Sequence, residues 1–310
     1  MKRFKNILYV SEASVDQASA VARAVSLAEN NQAKLTIIEV IPPVADACRT
    51  DTVTSCAQAM ESLIEPYRNR LKIQIDVLMG ANFLEVIRAV LRNAHDLVIK
   101  AAEDPDYMKR LFGSDDMHLL RKCPCPVWLM KPSEKSNYNC ILAAVNFDPL
   151  KPSASEQALN QEILELAGSL ALSDFATLHL VHAWETLAET IMRSRSGISG
   201  EGITSYVGKE YSLHKKGLDM LGDELRDRIG NDAYNYLSPR FHLPKGAAKK
   251  MIAALSVELQ ADLVVMGTVA RTGVSGLIIG NTAEAILDQL SCSVLAIKPP
   301  GFTTPVKLAG

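Results

Sequence analysis

The residues most able to do chemistry lie in one loop: Gly267-Thr268-Val269-Ala270-Arg271, running on to Gly280-Asn281-Thr282. It follows the apolar run Val264-Val265-Met266 and leads into a helical pattern. A glycine at a strand end permits a tight turn and close backbone approach. A second glycine just before a helix leaves N–H groups unpaired, and such a helix start favours an anion. The pattern therefore reads either as a phosphate cradle or as a well-capped connection, and the residues alone leave both open. Asn281 is expected to cap the helix, with Glu284 three residues on completing a capping box.

Other reactive side chains are less pointed. Cys123 and Cys125 form a C-x-C among prolines, with His118 nearby. Zinc is one reading, but no second pair stands at metal-ligand spacing, so two thiols at a strand entrance are favoured and no metal is expected. Lys100 ends an apolar run; it is an anion ligand, or pairs with Glu103 or Asp104, or reaches solvent past the strand end, which is favoured. His179 and His182 face opposite sides of a strand and cannot chelate together. His118, Arg121 and Lys122 share a helix face, read as solvated or as a partner-binding surface. There is no G-x-S-x-G elbow, no P-loop ending in GK[ST] and no H-E-x-x-H, so no catalytic residue is assigned.

The elements that must position these residues occur twice, about 150 residues apart. Asn6–Val10 and Cys140–Val145 open the copies, each followed by a helical stretch, near 15–30 and 154–170. Leu35–Val40 and Leu178–Ala183 form second apolar runs. Gly80 and Gly246 each stand sixteen residues before an Asp-Leu-Val, at Asp96 and Asp262. Val127–Met130 and Val294–Ile297 end alike in Lys-Pro. Polar residues Ser133–Asn137 read as the linker, giving domains 1–132 and 138–310. Between 185 and 230 the second copy is longer, and its Gly/Ser-rich piece Ser194–Gly202 is expected to be a mobile loop.

Short continuous apolar strands alternating with helices predict an α/β fold with five parallel strands per domain and helices on both faces. Ligands of such sheets bind outside the carboxyl ends of strands, at the switch point. Of 310 residues, 48% are hydrophobic and 22% charged, with a net charge of −2. That excludes disorder and argues against nucleic-acid binding through bulk basic charge. No 18-residue uncharged apolar run predicts a membrane span. Six cysteines do not make a disulfide scaffold, so a reduced, cytoplasmic protein is expected.

The order of elements, the Gly267 loop and the strand-ending Lys-Pro resemble the universal stress protein family. The phrases HDLVIK, HLLRKCPCPVW, GTVARTG and GNTAEAIL resemble its tandem, E-type members over roughly residues 4–305. The resemblance implies two tandem Rossmann-like (HUP-type) domains and a non-enzymatic stress-response protein, with slow ATP hydrolysis at most. It implies domain pairing through the terminal strands, and leaves a homodimer and an unknown protein partner open.

Nucleotide-binding members carry G-x2-G-x9-G-[ST]. Here Gly267 and Gly280 match, Ala270 replaces the middle glycine and Asn281 replaces Ser/Thr. If position 270 needs positive φ, the two changes together weaken binding very roughly 30-fold to 1000-fold. Asn146 stands where ATP-binding members place an Asp. The implied nucleotide set is Val145, Asn146, Phe147, Met266, Gly267, Thr268, Ala270, Arg271, Gly280, Asn281 and Thr282, holding ATP with magnesium weakly. In the first copy, acids replace the early glycines; only Ser11, Glu12, Lys100, Gly113 and Ser114 remain as candidate ligand residues, and ordinary ATP binding is not expected. The alternatives are a scaffold without nucleotide and a carrier of an apolar or lipid-like ligand beneath the 185–210 segment.

Overall fold

The computed structural model describes residues 4–103, 114–132, 137–186, 189, 192, 200–268 and 280–308. Gly113, Ala270, Arg271 and most of the expected linker and mobile loop therefore lie outside the described residues. The first copy runs β1 (Asn6–Val10), α1 (Ala18–Asn31), β2 (Lys34–Ile41), α2 (Asp46–Ile64), β3 (Ile73–Met79), α3 (Asn82–Asn93), β4 (Leu97–Ala101), α4 (Ser114–Lys122) and β5 (Val127–Met130). The second runs β6 (Cys140–Ala144), α5 (Ala154–Asp174), β7 (Thr177–Val181), α6 (Gly200–Ile229), α7 (Asn231–Leu237), β8 (Arg240–His242), α8 (Ala248–Glu258), β9 (Leu263–Gly267), α9 (Asn281–Leu287) and β10 (Ser293–Ile297). Gly200–Gly202, expected within the mobile loop, form the first turn of α6 instead.

The chain divides into two compact units: residues 1–138 with 268–310, and residues 139–267. They do not coincide with the two sequence copies, because β10 pairs with β5. In the first unit the parallel strands lie in the order β3-β2-β1-β4-β5, and β10 adds antiparallel to β5. The register sets Val294 against Leu129 and Leu295 against Trp128. This is the terminal-strand pairing that the resemblance implies. In the second unit β9-β6-β7-β8 are all parallel.

The strands are continuous apolar runs because helices cover them. Every residue of β4, β5 and β10 is buried. On α1 the apolar buried residues are Ala20, Val21, Ala24, Val25 and Ala28, the spacing of one helical stripe, with Arg23 buried among them. Ser153 and Glu156 form a complete capping box that starts α5. Gly80 and Gly246, at φ +154° and +146°, turn the chain after β3 and β8. A Cβ at Gly80 would lie 2.8 Å from Glu85 Cγ, and one at Gly246 3.1 Å from Met251 Sδ, which explains glycine at both.

The paired Asp-Leu-Val runs also acquire a reason. Asp96 accepts hydrogen bonds from the backbone N–H groups of Lys5 (2.7 Å) and Asn6 (3.0 Å). Asp262 accepts from Asn139 (2.6 Å) and Cys140 (2.9 Å). Each aspartate thus pins the entrance of its copy's first strand to the strand beside it.

Candidate functional site

In the first unit the switch point falls between β1 and β4, so the crevice lies beyond Val10 and Lys100. Lys100 does not reach solvent. It is fully buried, and its ammonium donates to Asp116 Oδ1 at 2.8 Å and Glu103 Oε1 at 2.9 Å, with Glu12 at 3.5 Å. Asp116, also fully buried, accepts the Glu103 N–H through its other oxygen at 2.8 Å. The surface-lysine expectation failed because carboxylates from three chain segments converge on the amine and replace its water. Burial alone would lower the Lys100 pKa; Asp116 and Glu103 outweigh it and hold it above the ordinary value. Burial, and then the Asp116 charge, push Glu103 up against the pull of Lys100.

Ser11, the other first-copy candidate, is buried, and its hydroxyl is engaged by Glu39 and Gln17. Gln17 also receives the Tyr9 hydroxyl (3.0 Å) and the Glu12 N–H (3.1 Å). Ser114 begins α4 in an exposed position. The first-copy crevice is thus lined by groups that already satisfy one another.

In the second unit the equivalent crevice lies beyond β6 and β9. Asn146 is exposed there, and Asn160 of α5 fixes its backbone from both sides, at 3.2 and 3.0 Å. Val145 is buried, and its N–H bonds Val181 O. Phe147 is sealed rather than presented. It stacks on His182 with ring centroids 3.9 Å apart, and a Cβ at Gly217 of α6 would sit 2.4 Å from its ring. His182 Nε2 meets His214 Nδ1 at 2.9 Å, and Trp184 packs on His214. His179 instead stacks on His242, with ring nitrogens 2.8 Å apart, so the two strand histidines serve separate pairs. Met266 is buried. At Gly267 a Cβ would come within 2.6 Å of Leu159 Cδ2, so this glycine admits α5 close to the strand end.

The remaining loop residues belong to the first unit. Thr268 is fully buried: its N–H goes to Ile297 O (3.1 Å), its carbonyl accepts from Gly280 (2.9 Å) and its hydroxyl accepts from Lys298. Gly280, not Asn281, is the N-cap of α9, and no side chain caps it. The chain enters the helix one residue early because the Gly280 N–H is held by Thr268 O, and Glu284 turns to an ion pair with Arg121. Asn281 and Thr282 stay exposed on the first turn. That ion pair also changes the expected basic face of α4. Arg121 is matched by Glu284, while His118 and Lys122 lie against the Phe83 ring, at 4.4 and 4.6 Å.

Tandem parallel α/β copies, each with a switch-point crevice, define a two-domain protein of the Rossmann-like class. The chain belongs to the universal stress protein family: the model described as "Universal stress protein family" matches residues 3–131 and 137–298. It is 30% identical to Universal stress protein E of Escherichia coli K12, over 99% of this chain and 98% of that one. A homologue in Haemophilus influenzae is 29% identical over 96% and 98%. Among solved structures, a Pseudomonas aeruginosa PAO1 protein described as functionally unknown matches at TM-score 0.71 and 25% identity, covering 96% of this chain and 94% of that one. A universal stress protein from Archaeoglobus fulgidus shares the fold at TM-score 0.60 and 16% identity, over 94% and 98%. The chain is therefore a tandem, E-type universal stress protein.

Proposed function

We propose that this stress-response protein binds a ligand rather than transforming it, and that nucleotide binding belongs to the second copy alone. The contrast at the ends of β4 and β9 carries the reading. In the first copy Lys100, Glu103 and Asp116 occupy the crevice with a buried ion network. The aligned positions of the second copy are Met266 and Ala283, which carry no charge, and Asn146, Asn281 and Thr282 are exposed. Ala270 and Asn281 depart from the nucleotide motif, so affinity for ATP with magnesium is weak. The six cysteines are free thiols, which suits a reduced, cytoplasmic setting.

Calorimetric titration of the nucleotide-free protein with magnesium ATP tests this. Heat for one site per chain, lost in Gly280→Asp, is the expected result. Absence of heat up to millimolar ATP, with the fold intact, overturns it in favour of a scaffold without nucleotide. The sealed Phe147 and the occupied Thr268 hydroxyl favour that second reading. Sustained phosphate release lost in Gly280→Asp would contradict the binding-only part.

A further inference from the structure

The C-x-C pair plays no part in that reading, yet it is built into an unusual setting. Cys123 is fully buried and Cys125 is 8% exposed. Their sulfurs lie 3.6 Å apart, a thiol–thiol hydrogen-bond contact. A second buried reactive group, Lys298, is 5% exposed, follows β10 and bonds the carbonyl of Leu120, three residues before Cys123. Its ammonium donates to Leu120 O and Thr268 Oγ1, both uncharged. Among the described residues no carboxylate pairs with it. A buried ammonium without a counter-charge is costly. The group able to supply one is the Cys123 sulfur, as a thiolate.

The remaining electrostatics agree. Burial would raise the Cys123 thiol, but the hydrogen bond from Cys125 and the Lys298 charge outweigh it and hold Cys123 below its ordinary value. Cys125 is held well above its ordinary value, first because it bonds Cys123, then by burial, by the Cys123 charge and by Asp96. Burial brings Lys298 down to about 8, opposed by Cys123, so the ammonium persists at neutral pH. The two thiols are thus unequal: Cys123 is the more acidic of the pair and Cys125 the less.

We propose that Cys123 and Cys125 form a peroxide-reactive dithiol, with Cys123 the nucleophile, Cys125 the resolving thiol and Lys298 the cation that holds the thiolate. The Cys123 thiolate attacks one oxygen of hydrogen peroxide, the O–O bond breaks, and hydroxide leaves and takes up a proton as water. The resulting Cys123 sulfenic acid is attacked by Cys125; the S–S bond forms, the S–O bond breaks, and a second water carries away the Cys125 proton. In sum, two thiols and one peroxide give a disulfide and two waters, with two electrons passing from sulfur to oxygen. The sulfurs close from 3.6 Å to about 2.05 Å. Hydrogen peroxide fits as oxidant because it is small, and Cys123 is fully buried with Cys125 only 8% exposed. The disulfide is neutral, so oxidation removes the counter-charge of Lys298, the residue that holds the Thr268 hydroxyl.

The test treats the full-length reduced protein with hydrogen peroxide, then denatures it, alkylates free thiols and maps peptides by mass spectrometry. The expected product lacks two hydrogens across Cys123–Cys125 and appears before oxidation of Cys48 or Cys56. Its rate rises at a lower pH than the ordinary thiol value of about 8.5 would give. Cys125→Ser stops the reaction at a sulfenic acid that dimedone labels at Cys123. Lys298→Met, with the fold checked by circular dichroism, slows oxidation roughly tenfold, one decade of thiolate fraction, and Lys298→Arg restores it. Full alkylation of Cys123 and Cys125 after peroxide, or a wild-type rate in folded Lys298→Met, overturns the proposal. Should Lys298→Met fail to fold, the wild-type pH profile and the Cys125→Ser label decide it alone.

Discussion

At the end of β4 the first copy carries Lys100, with Asp116 on the helix that follows; at the aligned positions the second copy carries Met266 and Ala283. One backbone plan has thus been finished in two chemistries. In the first, a buried ammonium and a buried carboxylate neutralise each other across the crevice, and Glu103 closes the network. In the second, no charge lies at those positions. The difference teaches that a switch-point crevice inherited with the fold need not stay open. It can be filled by side chains that supply, from within the protein, both the anion and the cation of a binding site.

The largest expected effect comes from breaking that network on one side. Lys100→Met leaves Asp116 buried without its cation and should cost about 3–5 kcal/mol in denaturant unfolding. Lys100→Met with Asp116→Ala copies the second-copy chemistry and should regain more than half of the loss, since removing both partners of a buried pair is often near neutral. A double variant no more stable than the single one would mean the pair does not act as a unit.

Next in size is the packing of Phe147 in the second unit, which is apolar. Gly217→Ala puts a Cβ 2.4 Å from the Phe147 ring and should cost about 1–3 kcal/mol, measured the same way. A neutral outcome would show that Phe147 is not clamped. A smaller effect concerns pH. Burial, followed by His242 and Arg240, lowers His179 to about 4 from its ordinary 6.5. The folded state then binds fewer protons than the unfolded chain between those values. Its stabilising contribution is complete above pH 6.5 and fades as pH falls towards 4. His179→Asn should flatten that part of the stability profile, and an unchanged acid limb would refute the assignment. Smallest is Arg121→Ala, which removes a partly exposed ion pair with Glu284 and should change stability by about 1 kcal/mol or less.

Much of the fold was legible because it rests on local pattern. The apolar runs of β1, β4, β6 and β9, the paired glycines at 80 and 246 and the matched terminal strands each signal themselves within a few residues. The strand pairing of Val127–Met130 with Val294–Ile297 came from the family resemblance, since the repeat marks the two strands but not their contact. The site was harder, because its decisive contacts join distant segments. Lys100 meets Asp116 sixteen residues away, and Gly217 admits Phe147 across seventy. One signal was nevertheless present: Lys100 and Asp116 depart together from Met266 and Ala283 when the copies are aligned. Asp96 and Asp262 were aligned without their role being seen, since an aspartate accepting two backbone N–H groups has no local signature. The helix start at Gly280 was misplaced by one residue because the bond from its N–H to Thr268 O competes with side-chain capping.

The central claim is that the first copy is closed and the second alone takes nucleotide. Photo-crosslinking of the protein with 8-azido-ATP and magnesium, followed by peptide mapping, tests it most directly. The account predicts label only on second-copy peptides, around Asn146 and Gly280–Thr282, competed by unmodified ATP. Competable label on peptides carrying Ser11–Gln17 or Lys100–Lys122 would contradict it.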